Sequence, residues 1–323
     1  MIIFLVRRLV SLAPTLLGIT LVAFSILNLL PEDPGATWRG AAPSAETVQR
    51  LRTELGADRP TLARYGLWLG ALLRGDLGRS LRDGRQVTSI LAEALPWSLL
   101  LNLGAICLIY GFAIPFGLYS ALVPGSRADR IGAVLLLVLY ALPSFAAALL
   151  LQETFAVRLG LLPLQGVSRG PDGATPVDLL RHLVLPTVCL ALSGWAFVAR
   201  YARASFRSAM GQEFLRVARS KGLSRWRAAR HLTASAAVPL VTLVTVILPG
   251  LVGGSVIVEQ AFSWPGLGRL YLAALEGRDY PVVLALTLLS AVAVLLGQLV
   301  TDLFYMVVDP RLRQRLLAGS SGA

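Results

Sequence analysis

The sequence predicts an all-α membrane protein with six transmembrane helices. It is 55% hydrophobic and only 15% charged over 323 residues, with a mean hydropathy of +0.68, too apolar for a soluble domain of this size. It also contains six charge-free runs near the roughly 20 residues that a helix needs to cross about 30 Å of hydrocarbon. The arginines between those runs are distributed asymmetrically.

The six runs are Leu9 to Leu30, Ala94 to Val123, Ile131 to Gln152, Leu183 to Ala199, Leu232 to Val258 and Pro281 to Thr301. The first follows Arg7 and Arg8, as a signal peptide would. It is longer than the usual apolar core of one, however, and no small-x-small cleavage site closes it, so it reads as a retained anchor. The fourth is the shortest and needs its polar flanks to complete a crossing. Pro143, Pro186, Pro239 and Pro249 lie in or beside spans, and Gly253 and Gly254 follow Pro249. Such breaks suit either close packing through small residues or a flexible, cavity-lining helix.

Placing both termini on the cytoplasmic side puts Arg7, Arg8, Arg127, Arg130, the cluster from Arg200 to Arg230, Arg311, Arg313 and Arg315 inside. The short external loops then hold only Arg158, Arg169, Arg181, Arg269 and Arg278. This is the positive-inside pattern. It accounts for the formal charge of +12 without nucleic acid as a partner. The segment 31–93 carries many arginines nearly balanced by acids. Segments of that length translocate largely regardless of charge, so it is expected to be external. The chain accordingly divides into a first transmembrane helix (1–30), an external segment (31–93), a five-helix core (94–310) with a cytoplasmic loop at 200–231, and a cytoplasmic tail (311–323).

Within the external segment, Ser44, Glu46 and Thr47 resemble a helix start, and Val48, Leu51 and Leu55 recur at helical spacing. The Gly- and Pro-rich stretch Gly160 to Pro176 predicts an irregular external loop. Cys107 and Cys189 both fall inside apolar runs and read as core packing.

The cytoplasmic loop is the most informative region. In EFLRVARSKG, Phe214, Val217 and Ala218 form a narrow apolar stripe, and Gln212, Glu213, Arg216, Arg219 and Ser220 face the other way. Glu213 in the first turn and Arg219 and Lys221 in the last complement the helix dipole. Gly222 stands where a left-handed cap is needed, and Ser224 can start a second helix. Arg200, Arg203 and Arg207 at helical spacing predict that the fourth span continues into the cytoplasm as a basic rod. Anionic lipid, solvent and a protein partner can each face such an element. The glycine stop and serine restart favour a partner, because attraction to lipid needs charge alone.

This segment resembles the cytoplasmic signature loop of the inner-membrane permease subunits of ABC importers, in the dipeptide, oligopeptide and nickel branch. Glu213, Phe214, Arg216, Ala218, Arg219, Lys221, Gly222, Leu223, Ser224, His231 and Pro239 carry the likeness. The stretch VEQAFSWPGLGRLYLAAL followed by RDYPVV, and the shorter LPEDP, GDLGRSL and VDPRLR, are similar to further signatures of the branch and extend it from the first helix to the last. Departures occur at Arg216, where the wider importer signature has glutamate, at Ala234 and Ser235, where the branch has Arg-Asn, and at Glu32, where it has glycine.

The resemblance implies a type I importer fold, a second homologous permease, two cytoplasmic ATPase subunits carrying ATP and Mg, an external solute-binding protein, and a peptide substrate. A nickel chelate or other small solute is the alternative within the branch. It also implies location in a bacterial cytoplasmic membrane. The 212–231 loop would couple to the ATPase, through Glu213, Phe214, Arg216, Val217, Ala218, Arg219, Lys221 and Gly222.

For the pathway, Glu259 closes the fifth run, beyond Pro249, Gly253 and Gly254. An acid there is costly unless it meets water or a partner, so it reads either as a pathway residue or as a partner of Arg269 or Arg278. Asp302, His182 and His231 border spans and read as structural. The sequence contains no phosphate-cradling G-x-x-x-x-G-K-[ST], no H-E-x-x-H and no G-x-S-x-G, so neither catalysis nor a bound cofactor or metal is expected in this chain. A secondary transporter or channel is the rival class. It would more often bury ionisable residues at the centres of spans, which here are uncharged.

Overall fold

The computed structural model describes residues 2–29, 60–167, 175–210, 240, 243 and 256–308. They form α1 (Ile2–Leu29), α2 (Thr61–Leu73), α3 (Val87–Leu122), α4 (Arg127–Ala141), α5 (Ser144–Leu151) running into a π-helical turn (Gln152–Arg158), α6 (Pro176–Met210), α7 (Val256–Ala261), α8 (Leu267–Glu276) and α9 (Tyr280–Val308). Among the described residues there is no β-strand, only an isolated bridge between Arg79 and Gln86.

The centre is the pair α3 and α6, of 36 and 35 residues. At about 1.5 Å per residue each exceeds the hydrocarbon thickness and projects beyond it. On α3, Val87, Leu91, Ala94, Ser98, Leu101, Ala105, Ile109, Ala113, Gly117 and Ala121 are buried at steps of three and four, a continuous stripe along one face. Small residues let the two backbones approach. A Cβ on Gly117 would meet the Ala199 carbonyl oxygen at 3.0 Å, and one on Gly104 would meet the Thr187 methyl at 3.2 Å. Pro96 and Pro115 lie within α3 and Pro186 within α6.

The run Ile131 to Gln152 is not the single straight helix its composition suggests. It divides into α4 and the α5 to π segment, bent by 104°. Pro143 cannot donate an amide to a continuing helix, and it drives Leu142 into extended geometry (φ −75°, ψ 119°). The 15 residues of α4 reach only about 22 Å, short of a crossing. By length and composition α3 and α9 are each sufficient spans. The α4–α5 pair and the two halves of α6 add up to two more if each counts as one, and α1 contributes the apolar stretch Val10–Ile26. Most of the fifth run lies outside the described residues.

A helix does follow α1 within the segment 31–93, at α2. Phe24 of α1 meets Tyr65 and Trp68 at 5.6 and 5.8 Å, and Thr20 and Tyr65 share a 2.9 Å hydroxyl hydrogen bond. The helix start expected at Ser44, Glu46 and Thr47 lies outside the described residues. Cys189 is buried and its thiol donates to the Ser144 carbonyl at 3.5 Å. Cys107, expected in the core, is instead exposed on α3. An apolar run in a membrane protein has a lipid face as apolar as its packed one, so composition does not separate the two.

Candidate functional site

One end of the bundle is a network built around two buried acids. Glu259 on α7 is fully buried. Its Oε1 accepts the Ser98 hydroxyl of α3 at 2.7 Å, and its Oε2 accepts the backbone N–H groups of Gly268 and Arg269 at 2.7 and 3.1 Å. These are the first-turn donors of α8, which has Gly266 as its N-cap and no side-chain cap of its own. Ser98 also accepts the Leu267 amide at 2.8 Å. Glu259 is therefore a cap supplied from another helix, its charge set against the positive end of the α8 dipole. The turn must be glycine-rich for steric reasons. A Cβ on Gly266 would collide with the Glu259 carboxylate and the Ser98 hydroxyl, and one on Gly268 would come within 2.8 Å of the Val256 Cα.

Trp264, also fully buried, closes this turn. Its indole N–H donates to the Trp97 carbonyl at 2.9 Å and its ring meets Trp97 edge-on at 5.6 Å. Behind it, buried Gln152 donates to the carbonyls of Leu164 and Ala261 at 3.0 and 3.1 Å, and Gly166 donates to Phe262 at 2.8 Å. Residues 160–167 are thus irregular, as expected, but pinned.

The second acid is Asp279, at the start of α9. It accepts the Ser80 hydroxyl at 2.5 Å and the Leu81 amide at 3.0 Å. Ser80 belongs to the GDLGRSL turn, where Gly78 adopts φ +82° and Asp76 accepts the Gly78 amide at 2.8 Å. Sequence blocks some two hundred residues apart, GDLGRSL and RDYP, therefore meet in one buried contact. A hydrophobic cluster of Val87, Leu91, Leu267, Ala274, Val282 and Leu286 lies beside it.

At the opposite end, Arg203 of α6 donates to Asp129 of α4 at 2.8 Å. Asp129 also takes the Gly125 amide at 2.8 Å, and its own amide is capped by Ser126 at 3.1 Å. Helix α6 does continue past the fourth apolar run as a rod through Arg200, Arg203 and Arg207, ending at Met210.

Glu213, Phe214, Arg216, Val217, Ala218, Arg219, Lys221 and Gly222, with Pro249, Gly253, Gly254 and His231, lie outside the described residues. His182 shares a 2.7 Å hydrogen bond with the Asp178 carbonyl one turn earlier. Among the described residues no group of His, Cys, Asp and Glu is placed to hold a metal. Ser98, Asp279, Ser80, Asp129 and Arg203 were not singled out from sequence for these contacts. The signal for two of them was the pair of motifs GDLGRSL and RDYP, neither of which shows its partner locally.

Residues 113–314 match the family described as the binding-protein-dependent transport system inner membrane component, and residues 1–102 match its N-terminal counterpart. The chain belongs to this family. It is 35% identical to the oligopeptide transport system permease protein AppB of Bacillus subtilis (strain 168), over 96% of this chain and 98% of that protein. A putative peptide permease protein of Brucella ovis is 35% identical over 92% of this chain and 95% of its own length. The glutathione transport system permease protein GsiC of Salmonella typhi is 32% identical over 97% and 99%. The chain is thus a membrane-embedded permease subunit of an ABC importer, of the branch inferred from its motifs. It is a non-catalytic component that works with a binding protein and an ATPase.

Proposed function

We propose that this permease imports short peptides, in a six-span arrangement with both termini cytoplasmic. It pairs with a second homologous permease, two ATPase subunits carrying ATP and Mg, and an external binding protein that delivers the peptide. The observation that carries the substrate is the near full-length similarity to permeases named for oligopeptide, peptide and glutathione transport, all of them peptide cargo.

Coupling runs through the 212–231 loop. Phe214, Val217 and Ala218 pack into the ATPase, while Glu213, Arg216, Arg219 and Lys221 anchor it and Gly222 stops the helix. Two observations support a rigid lever. Beyond a 50° bend after Leu192, the second half of α6 runs from Gly194 to Met210, immediately before this loop, and the Arg203–Asp129 pair ties that half to α4. A lever moves a bundle only if its two nucleotide states make different contacts with the motor. Pro249, Gly253 and Gly254 contribute to the translocation pathway. Glu259, bound to Ser98 and the first-turn amides of α8, anchors α7 and does not contact cargo.

The test is uptake of labelled tripeptide and of glutathione into proteoliposomes holding the assembled complex and its binding protein. ATP-dependent accumulation of either supports the reading. A complex that imports neither, while its co-purified binding protein carries a non-peptide solute, refutes it.

A further inference from the structure

The inner end of the bundle contains a feature that translocation and coupling leave unused. Between α4 and α6 lies a cleft of about 250 Å³ whose walls include Phe116, Leu136, Leu137 and Ala196 and whose rim is formed by Arg200 and Arg203. Arg203 gives one terminal nitrogen to Asp129, but its buried Nε has no hydrogen-bond partner among the described residues. Arg200, which also lines the cleft, donates its Nε to the Ala196 carbonyl at 3.2 Å and lies 5.2 Å over the Tyr140 ring. Arg127, Arg130 and Arg207 are exposed at the same end. Within 120–141 and 196–210 these five arginines face one acid, Asp129, already engaged. Below the rim the outer face of α4 is open and apolar at Ile131, Val134, Leu135 and Val138.

We propose that this cleft holds one anionic phospholipid, its phosphate on Arg200 and Arg203 and an acyl chain along Phe116, Leu136 and Leu137. The inference rests on the proposed orientation with both termini cytoplasmic, which places the rim at the cytoplasmic leaflet. A soluble anion would use the arginines but leave the apolar walls wet. A helix of another protein would cover the walls but bury a guanidinium without a carboxylate. A phospholipid supplies both the negative charge and the apolar chain, at the depth where arginine side chains reach the headgroups.

The test is native mass spectrometry of the intact complex, purified and equilibrated with equal amounts of phosphatidylglycerol and phosphatidylcholine of identical chains. The wild type retains phosphatidylglycerol preferentially, at one copy per chain. Arg200→Ala lowers that preference by about fivefold and Arg200→Lys keeps most of it. Leu137→Trp, which fills the cleft and changes no charge, lowers retention of both lipids. Equal retention of the two lipids by the wild type, or unchanged preference in Arg200→Ala, overturns the proposal. So does quantitative cross-linking of Leu137→Cys to another subunit. The readout needs neither cargo nor transport, so a wrong substrate leaves it intact. Labelling of Arg200→Cys from the external side would separately refute the orientation.

Discussion

Replacing Glu259 separates a structural cap from a residue that meets cargo. Its two fully buried carboxylate oxygens hold three donors, the buried Ser98 hydroxyl and Gly268 amide and the part-buried Arg269 amide. Glu259→Ala leaves all three without their acceptor. At about 1–3 kcal/mol per buried group left unmade, reduced by relaxation and water entry, the loss is about 3–5 kcal/mol. Glu259→Gln retains one acceptor oxygen for the two amides. It forfeits the charge at the helix N-terminus and the acceptor for the Ser98 proton, together about 1–2 kcal/mol.

In a thermal unfolding scan of the detergent-purified complex, followed by tryptophan emission because Trp264 sits on this turn and packs on Trp97 of α3, the expected fall is roughly 6–20 °C for Ala and 2–8 °C for Gln. Uptake by the surviving folded fraction stays near wild type for Gln. A Glu259→Ala protein as heat-stable as wild type but inactive would refute the cap and assign the side chain to the pathway.

Four further outcomes follow from the same geometry. Gly266→Ala places a methyl against both Glu259 and Ser98 and should cost about 2–4 kcal/mol, read in the same scan, whereas Gly70→Ala, with open space at its Cβ, should be nearly neutral. Asp129→Ala strands a part-buried Arg203 and releases the Gly125 amide of an exposed turn, and should cost about 1–3 kcal/mol, with Asp129→Ala/Arg203→Ala recovering part of it. Additive losses in that double-mutant cycle would show that the pair is not coupled. Asp279→Asn keeps the acceptor for one of its two partners and should expose the bond following Arg79 to trypsin faster than in wild type, by about tenfold if about 1.4 kcal/mol is lost. An unchanged cleavage rate would mean that the GDLGRSL turn holds without it. Gly222→Val, a β-branched residue at a position expected to need positive φ, should abolish peptide-stimulated coupling while the protein still inserts. Wild-type uptake would remove the lever.

The fold class was legible because bilayer thermodynamics writes itself directly into composition. A span must be apolar over its whole length and flanking arginines must stay at the inner surface, so run lengths and charge asymmetry were enough to expect a helical membrane protein. Motif order then fixed the family. The same rule concealed finer structure. An apolar stretch reads alike whether it faces lipid or protein, so Cys107 could not be told from Cys189, and the residues of Ile131 to Gln152 looked continuous although Pro143 turns the chain through 104°.

The sequence alone determined that this chain is a bundle of membrane helices, since apolar run length is a sum over local residues. The tertiary structure decided what the buried acids do. Glu259 finds Ser98 and the α8 amides, and Asp279 finds Ser80 across 199 residues of chain, contacts that exist only once distant helices are packed together. A carboxylate's role depends on which donors surround it in space, and in these two cases the decisive donors include groups that local sequence does not place.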